Sequence, residues 1–292
     1  SQEGTSSMFM LNEQMHNLAK NGPFGPREVA EALKVLTQAG LSADEASKNL
    51  GATLNFSMAG MVSIAAAAET LVSVTTAFNM GAVGFSSAGD IITRTAAISK
   101  TSVENMSGAF KTASVLNAQY GVSLTDVGVG LAALANLGIE ASAAGTALRN
   151  MYADLSGRSD KVSKILKEQG IQLRELSTGK FPDVIKVVKE LNAALEMKTP
   201  VGAQNLLQAL ASERGAKPIV EMLELFRKLP KDLQAGFGNA LNEMRSQIQD
   251  AYGTAATVAI AASTTVKNQY ASLVASFQSD LVRVFEENEP RL

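Results

Sequence analysis

Along most of the chain apolar residues recur at three- and four-residue steps, the period of a helix with one face buried. Val29, Leu33 and Leu36 mark one such stripe, and Val103, Met106 and Phe110 another. The pattern predicts helices near 27–39, 43–57, 63–79, 86–98, 102–119, 124–136, 142–154 and 159–169. Pro182 suits the first turn of a further helix reaching about Met197 on Val184, Val187, Val188 and Leu191, because that position needs no backbone N–H. Thr199-Pro200 and Lys217-Pro218 start two more. A period of two shows only at Ile171–Arg174 and Thr178–Phe181, which can pair as a tiny β-hairpin near 171–181.

One junction recurs between these stripes. A helix ends at glycine, an apolar residue follows, and a serine opens the next helix. Gly40-Leu41-Ser42, Gly84-Phe85-Ser86 and Gly121-Val122-Ser123 have it in compact form, and Gly138-Ile139 with Ser142 in a longer one. Glycine adopts the left-handed conformation at a helix end without a Cβ penalty, and the apolar residue folds back on the helix it leaves. Serine then accepts from the free N–H groups of the next helix. Ser42 with Glu45, and Thr101 with Glu104, have the spacing of a capping box. Such short turns make consecutive helices neighbours. The junctions are unevenly spaced, so a regular repeat is not expected.

Beyond Pro230 the pattern changes. Between 239 and 287 there is no proline and Gly253 is the only glycine. Leu241, Met244, Ile248, Ala251, Ala255 and Val258 open a stripe that continues through Ala262, Val266, Tyr270, Leu273, Phe277, Leu281 and Val284. One helix of ~45 residues would be about 70 Å long, more than a domain of this size needs. It is expected either as an arm with a coiled-coil seam at Leu241, Ile248, Leu273, Phe277 and Leu281, or as a helix broken at Gly253 and folded on the body. The expected fold is all-α: an amphipathic segment over 1–26, a compact multi-helix body of short helices over 27–230, and a long C-terminal helix within 231–292.

Composition narrows the chemistry. The 292 residues are 46% hydrophobic, 18% charged and 5% aromatic, with no tryptophan. A core of small side chains suits closely packed helices better than a sheet. Cysteine is absent, which removes disulfides, thiolate metal sites and cysteine nucleophiles. The net charge of -2 makes no electrostatic case for nucleic acid. The start at Ser1 rather than methionine suggests a piece of a longer or processed protein, and the first residues lack the basic and apolar blocks of a secretory leader. Two uncharged windows, Asn49–Ala68 and Thr70–Gly89, have the length of a membrane span. They contain too many Asn, Gly, Ser and Thr residues to insert well, so buried helices are the expectation.

Candidate reactive groups are few. His16 is the single histidine and sits among Met8, Met10, Leu11, Met15 and Leu18, where a surface or interface role fits better than catalysis. Asp154, Asp160, Glu168 and Glu175 lie among Arg158, Lys161, Lys164 and Lys167, which reads as a solvated, ion-paired face rather than paired catalytic carboxylates. Gly128-Val129-Gly130 and Gly145-Thr146 are not phosphate loops: no strand precedes them and no Gly-Lys-Ser/Thr follows. Glycines within helices point to close backbone approach instead. No cofactor and no metal are expected, and the chain is not expected to be an enzyme.

Several ordered motifs nevertheless have a family look. They are Glu31-Ala32-Leu33-Lys34-Val35-Leu36-Thr37-Gln38-Ala39-Gly40-Leu41-Ser42, then Tyr120-Gly121-Val122-Ser123-Leu124, then Leu131 to Ile139. The most specific is Ala144-Gly145-Thr146-Ala147-Leu148-Arg149, followed by Leu166-Lys167-Glu168-Gln169-Gly170-Ile171 and the Thr178-Gly179-Lys180-Phe181-Pro182-Asp183 turn. Over about 27–230 the chain resembles the core region of phage tail tape measure proteins. It departs at 79–90, which is longer and richer in glycine.

The resemblance implies a structural virion protein that lies in the tail tube lumen or at the tail tip. Such a protein sets tail length during assembly in the host cytoplasm and leaves through the tube ahead of DNA. It implies self-association, most plausibly as a homotrimer, contact with tail tube and tail tip or baseplate proteins, and no specific nucleic-acid binding. A membrane-active segment forming a conduit across the host envelope is the alternative. The residues carried over are packing and turn positions: Gly40, Ser42, Gly121, Gly138, Gly145, Thr146, Leu148, Arg149 and Gly170. For Arg149 a structural salt bridge or a helix C-terminal contact is expected first, and interface recognition second.

Overall fold

A computed structural model describes residues 26–81, 84–99, 101–117, 120–136, 138–154, 160–168, 184–211, 241–265 and a few positions between 217 and 224. Every regular element among them is helical. The helices are α1 (Pro26–Gln38), α2 (Ala43–Gly60), α3 (Ile64–Ala77), α4 (Gly84–Ile98), α5 (Val103–Asn117), α6 (Leu124–Asn136), α7 (Ala141–Ala153), α8 (Asp160–Glu168), α9 (Val184–Glu196) and α10 (Pro200–Ala211). Two further helical stretches occupy 241–249 and 254–265. The all-α expectation therefore holds. The 171–181 hairpin lies outside the described residues.

From α1 to α7 each helix packs on the next and on the one after it. That pattern of neighbours defines two rows, α1-α3-α5-α7 and α2-α4-α6, with the chain crossing between them at every turn. The core lies between the rows. Phe56, Leu71, Ile92, Met106, Phe110, Leu131, Leu148 and Tyr152 are fully buried there, interleaved with Ala67, Ala88, Ala109 and Ala144. Alternating large and alanine side chains let helices approach closely while leaving few voids.

The turns show why the rows are so regular. Gly40 has φ +97; its N–H donates to the Thr37 carbonyl, and Leu41 N–H to that of Leu36. This is the paired bonding of a Schellman motif, and it saturates the last carbonyls of α1. Gly138 (φ +84) ends α6 in the same way through Ala135 and Leu134. Two further ends use residues other than glycine. Met61 (φ 50) closes α2 through Met58 and Ser57, and Asn79 (φ 51) closes α3 through Thr76 and Thr75.

The starts are capped as serine dictates. Ser42 and Glu45 form a reciprocal capping box on α2: Ser42 N–H donates to Glu45 Oε2 at 2.9 Å. Ser63 Oγ accepts from Ala66 N–H at 3.1 Å, and Ser123 Oγ from Asp126 N–H at 3.1 Å.

Three expected junctions differ. Gly84 does not end a helix but begins α4, and left-handed residues fall earlier, at Asn79 and Gly81. The sequence offered three nearby glycines, and the Schellman bonding selects Asn79 instead. The cap of α5 is Ser102, whose Oγ accepts from Asn105 N–H, rather than Thr101. Ser142 lies inside α7, whose N-cap is Glu140.

Candidate assembly site: a close helix crossing and a C-terminal strap

Two constructions stand out from the rest of the core. The first is the crossing of α5 and α7, the most extensive helix pair in the structure. Gly145 is buried in α7 against the α5 backbone. A Cβ built there would lie 2.7 Å from the Ala109 carbonyl oxygen and 2.9 Å from its Cα. Only hydrogen fits, so the two backbones touch. Gly130 makes a similar notch in α6, filled by the Leu148 side chain, whose Cδ1 would stand 2.9 Å from a Cβ. Gly145 and Leu148 of the family motif thus serve packing, with Leu148 fully buried.

The other motif positions divide. Gly40, Gly121 and Gly138 hold positive φ at turns, and Ser42 caps α2. Thr146 faces outward and Arg149 is half-buried. The ion pairs among the described residues do not include Arg149. Gly170 and His16 lie outside the described residues.

The second construction is the strap, residues 241–265, a helix–turn–helix that crosses α4 and α6 in the even row. The uninterrupted 239–287 helix does not occur in the described part. The chain turns at 250–253 and Gly253 takes φ +75. The physical reason is Asp90 of α4, only 3% exposed. Its Oδ2 accepts from Gly253 N–H at 2.9 Å and its Oδ1 from Ala255 N–H at 2.8 Å. A carboxylate set against the first N–H groups of 254–265 satisfies donors that a continuous helix would have bonded internally.

Two further polar contacts tie the strap down. Arg94 Nε, one turn along α4 from Asp90, donates to the Gln247 carbonyl at 3.3 Å. Arg245 pairs with Asp126 of α6 at 2.6 Å, both about three-quarters buried. Between them Ile248 enters the notch left by Gly128, where a Cβ would stand 3.4 Å from Ile248 Cδ1 and 2.9 Å from Thr95 Oγ1.

Leu241 and Ile248, expected in an oligomer seam, are therefore buried against the body, with Ala251, Ala255 and Ala259 beside them. Leu273, Phe277 and Leu281 lie outside the described residues. The outer face of the strap exposes Tyr252, Val258 and Ile260.

Sequence reasoning missed the strap's anchors. Asp90 stood out as one of only three charges between 49 and 99, yet its partners lie more than 160 residues away. Asp126 carried a local signal, three residues after Ser123, but its partner Arg245 lies 119 residues further on.

At the start of α2 the polar chemistry is local and exposed. The bonds from Ser42 hold the Glu45 carboxyl below its ordinary value. The adjacent Asp44 carboxylate raises the Lys48 ammonium, at 2.6 Å. Lys161, Lys164 and Lys167 are exposed on α8. Among the described residues no three acidic or histidine side chains converge as metal ligands. No single described helix is long and apolar enough to cross a membrane; the windows at 49–89 are divided among α2, α3 and α4, and α2 meets α3 at 115°.

What this geometry defines is a helical structural module, built from backbone-close crossings and a strapped surface. Residues 12–212 match the family model described as phage-related minor tail protein, and the chain belongs to that family. It is also similar to two curated proteins. It is 23% identical over 243 residues to the tape measure protein of Pneumococcus phage Dp-1, covering 82% of this chain and 21% of that protein. It is 25% identical over 192 residues to the probable tape measure protein of Escherichia phage P2, covering 66% of this chain and 23% of the relative. The chain thus spans about a fifth of the length of these relatives. No solved structure matches it with significance.

Proposed function

We propose that this chain is one region of a tape measure protein: a structural component of the phage tail that sets tail length during assembly and leaves through the tube ahead of the DNA. The observation that carries this reading is the family match across 12–212, which contains both helix rows. The similarity to two proteins named as tape measure proteins supports it. A body made of packing glycines and capped turns suits a role exercised by shape and length.

The reading includes virion localisation in the tail tube lumen or at the tip after assembly in the host cytoplasm. It also includes contact with tail tube and tip or baseplate proteins, and self-association as a homotrimer. Leu273, Phe277 and Leu281 are the residues proposed for that seam. The decisive experiment changes the protein's length within the phage. An in-frame insertion of ~40 helical residues is expected to lengthen the tail by about 60 Å at 1.5 Å per residue. Tails of unchanged length would refute length determination. Self-association has its own test in the mass of the purified chain by light scattering, where a trimer that Leu273→Glu or Phe277→Glu dissociates is expected.

The alternative, a conduit across the host envelope, rests on one observation: α2 and α3 together have the length and composition of a span, although bent by 115°. Leakage of dye-loaded liposomes on adding the chain is its test, and no leakage at any lipid composition or pH would remove it.

A further inference from the structure

The surface beneath the strap differs in kind from the core between the rows. Within the rows large apolar side chains dominate and, at Gly145, bare backbone meets, and parting them would expose both to water. Under the strap the anchoring groups are charged: Asp90 and Arg94 on α4 and Asp126 on α6. The large apolar side chains that the strap packs on the body are Leu241 and Ile248, with Met244 half-buried beside them and alanine at the other buried positions. Each charged anchor can exchange its protein partner for water, so lifting the strap leaves no unsatisfied buried charge behind. Asp90 satisfies the N–H groups at the start of 254–265, and without it that start loses its cap.

We propose that residues 241–265 are a releasable strap with Asp90 as its catch: the strap leaves α4 and α6 as one unit while both helix rows remain folded. Release uncaps 254–265, which loses protection with it. The closed and open forms are two states of the same surface, one bonded to the strap and one hydrated. Glycine at 253 fits this role, because its left-handed φ lets the turn present two N–H groups to a single carboxylate.

Native-state hydrogen exchange on the intact chain, in increasing low concentrations of urea, tests the proposal. In the unaltered protein the amides of 257–262 are expected to exchange through an opening that precedes exchange of α5 and α7. Asp90→Ala is expected to speed exchange at 257–262 by about 10- to 100-fold while α5 and α7 change by less than about threefold. Asp90→Asn, which retains one acceptor oxygen, should fall between. Should Asp90→Ala fail to fold, the unaltered protein decides alone. Exchange of 257–262 in a single transition with α5 and α7 would overturn the proposal, as would an Asp90→Ala protein with unchanged exchange at 257–262.

Discussion

The α5–α7 crossing and the strap on α4 and α6 both bring helical segments into close contact, by opposite means. At the crossing, Gly145 lets the α5 backbone approach to a distance that excludes even a methyl group. Attraction there comes from dispersion between closely packed backbones and apolar side chains. At the strap, three charged side chains on the body grip backbone and side-chain groups of a segment more than a hundred residues away. The lesson is that one fold can contain a joint that only global unfolding opens and a joint that water can open.

The largest predicted effect breaks the first joint. Gly145→Ala places a Cβ against the Ala109 carbonyl and Cα, and neither belongs to a flexible side chain. The helices must part along their length, and a loss of about 3 kcal/mol or more is expected. Urea unfolding followed by circular dichroism measures it. The change should appear in the main cooperative transition, with α5 and α7 amides losing protection together. A loss under about 1 kcal/mol would mean that the crossing adjusts freely and that the contrast with the strap is false.

The corresponding cut at the strap is smaller. Asp126→Asn removes the charge partner of Arg245, about three-quarters buried, and a cost of about 1 kcal/mol is expected after allowing for partial solvent screening. Exchange should rise at 241–249 and not in α7. A uniform rise across the body would place the strap in the same cooperative unit as the rows.

Next come the turns, where the sign itself is informative. Gly138→Ala forces a Cβ into φ +84 and should destabilise by about 1 kcal/mol. Met61→Gly does the reverse at φ 50, relieving a left-handed methionine whose side chain is 89% exposed, and should be neutral or stabilising by up to about 1 kcal/mol. Thermal melting of the two proteins should give shifts of opposite sign. A destabilised Met61→Gly would show that the methionine side chain contributes through contacts rather than strain.

How much of this was legible depends on the range of the interaction. Gly40, Gly121 and Gly138, the Ser42–Glu45 cap and the helix periods involve residues within five positions, and they stand in the sequence where the structure has them, whereas Gly84 begins a helix instead of ending one. Gly128, Gly130 and Gly145 were readable as close-approach residues because a glycine inside an apolar helix lowers its stability unless something fills the space. What filled it was not readable, since Ala109, Leu148 and Ile248 lie on other elements. Met61 and Asn79 escaped because nothing in their own chemistry demands the left-handed region. The break at Gly253 was one of two readings until Asp90 supplied the reason. Its carboxylate is ordinary in sequence and becomes a cap only when α4 is laid beside residue 253.

The smallest predicted effect sets a purely local joint beside these remote ones. Ser42 donates to Glu45 from its N–H and its hydroxyl, and these bonds hold the Glu45 carboxyl below the ordinary 4.5. A carboxyl lowered on folding adds stability that is present above its unfolded value and is lost as pH falls through its folded value. The box should therefore strengthen α2 at neutral pH and fade below about 4.5. Glu45→Gln keeps an acceptor for the Ser42 N–H but cannot ionise. The melting difference between the unaltered protein and Glu45→Gln should be small at neutral pH and vanish in acid. Because the group is exposed, added salt should also shrink it. A difference that persisted unchanged at pH 3 would mean that shape, not charge, makes Glu45 the better partner.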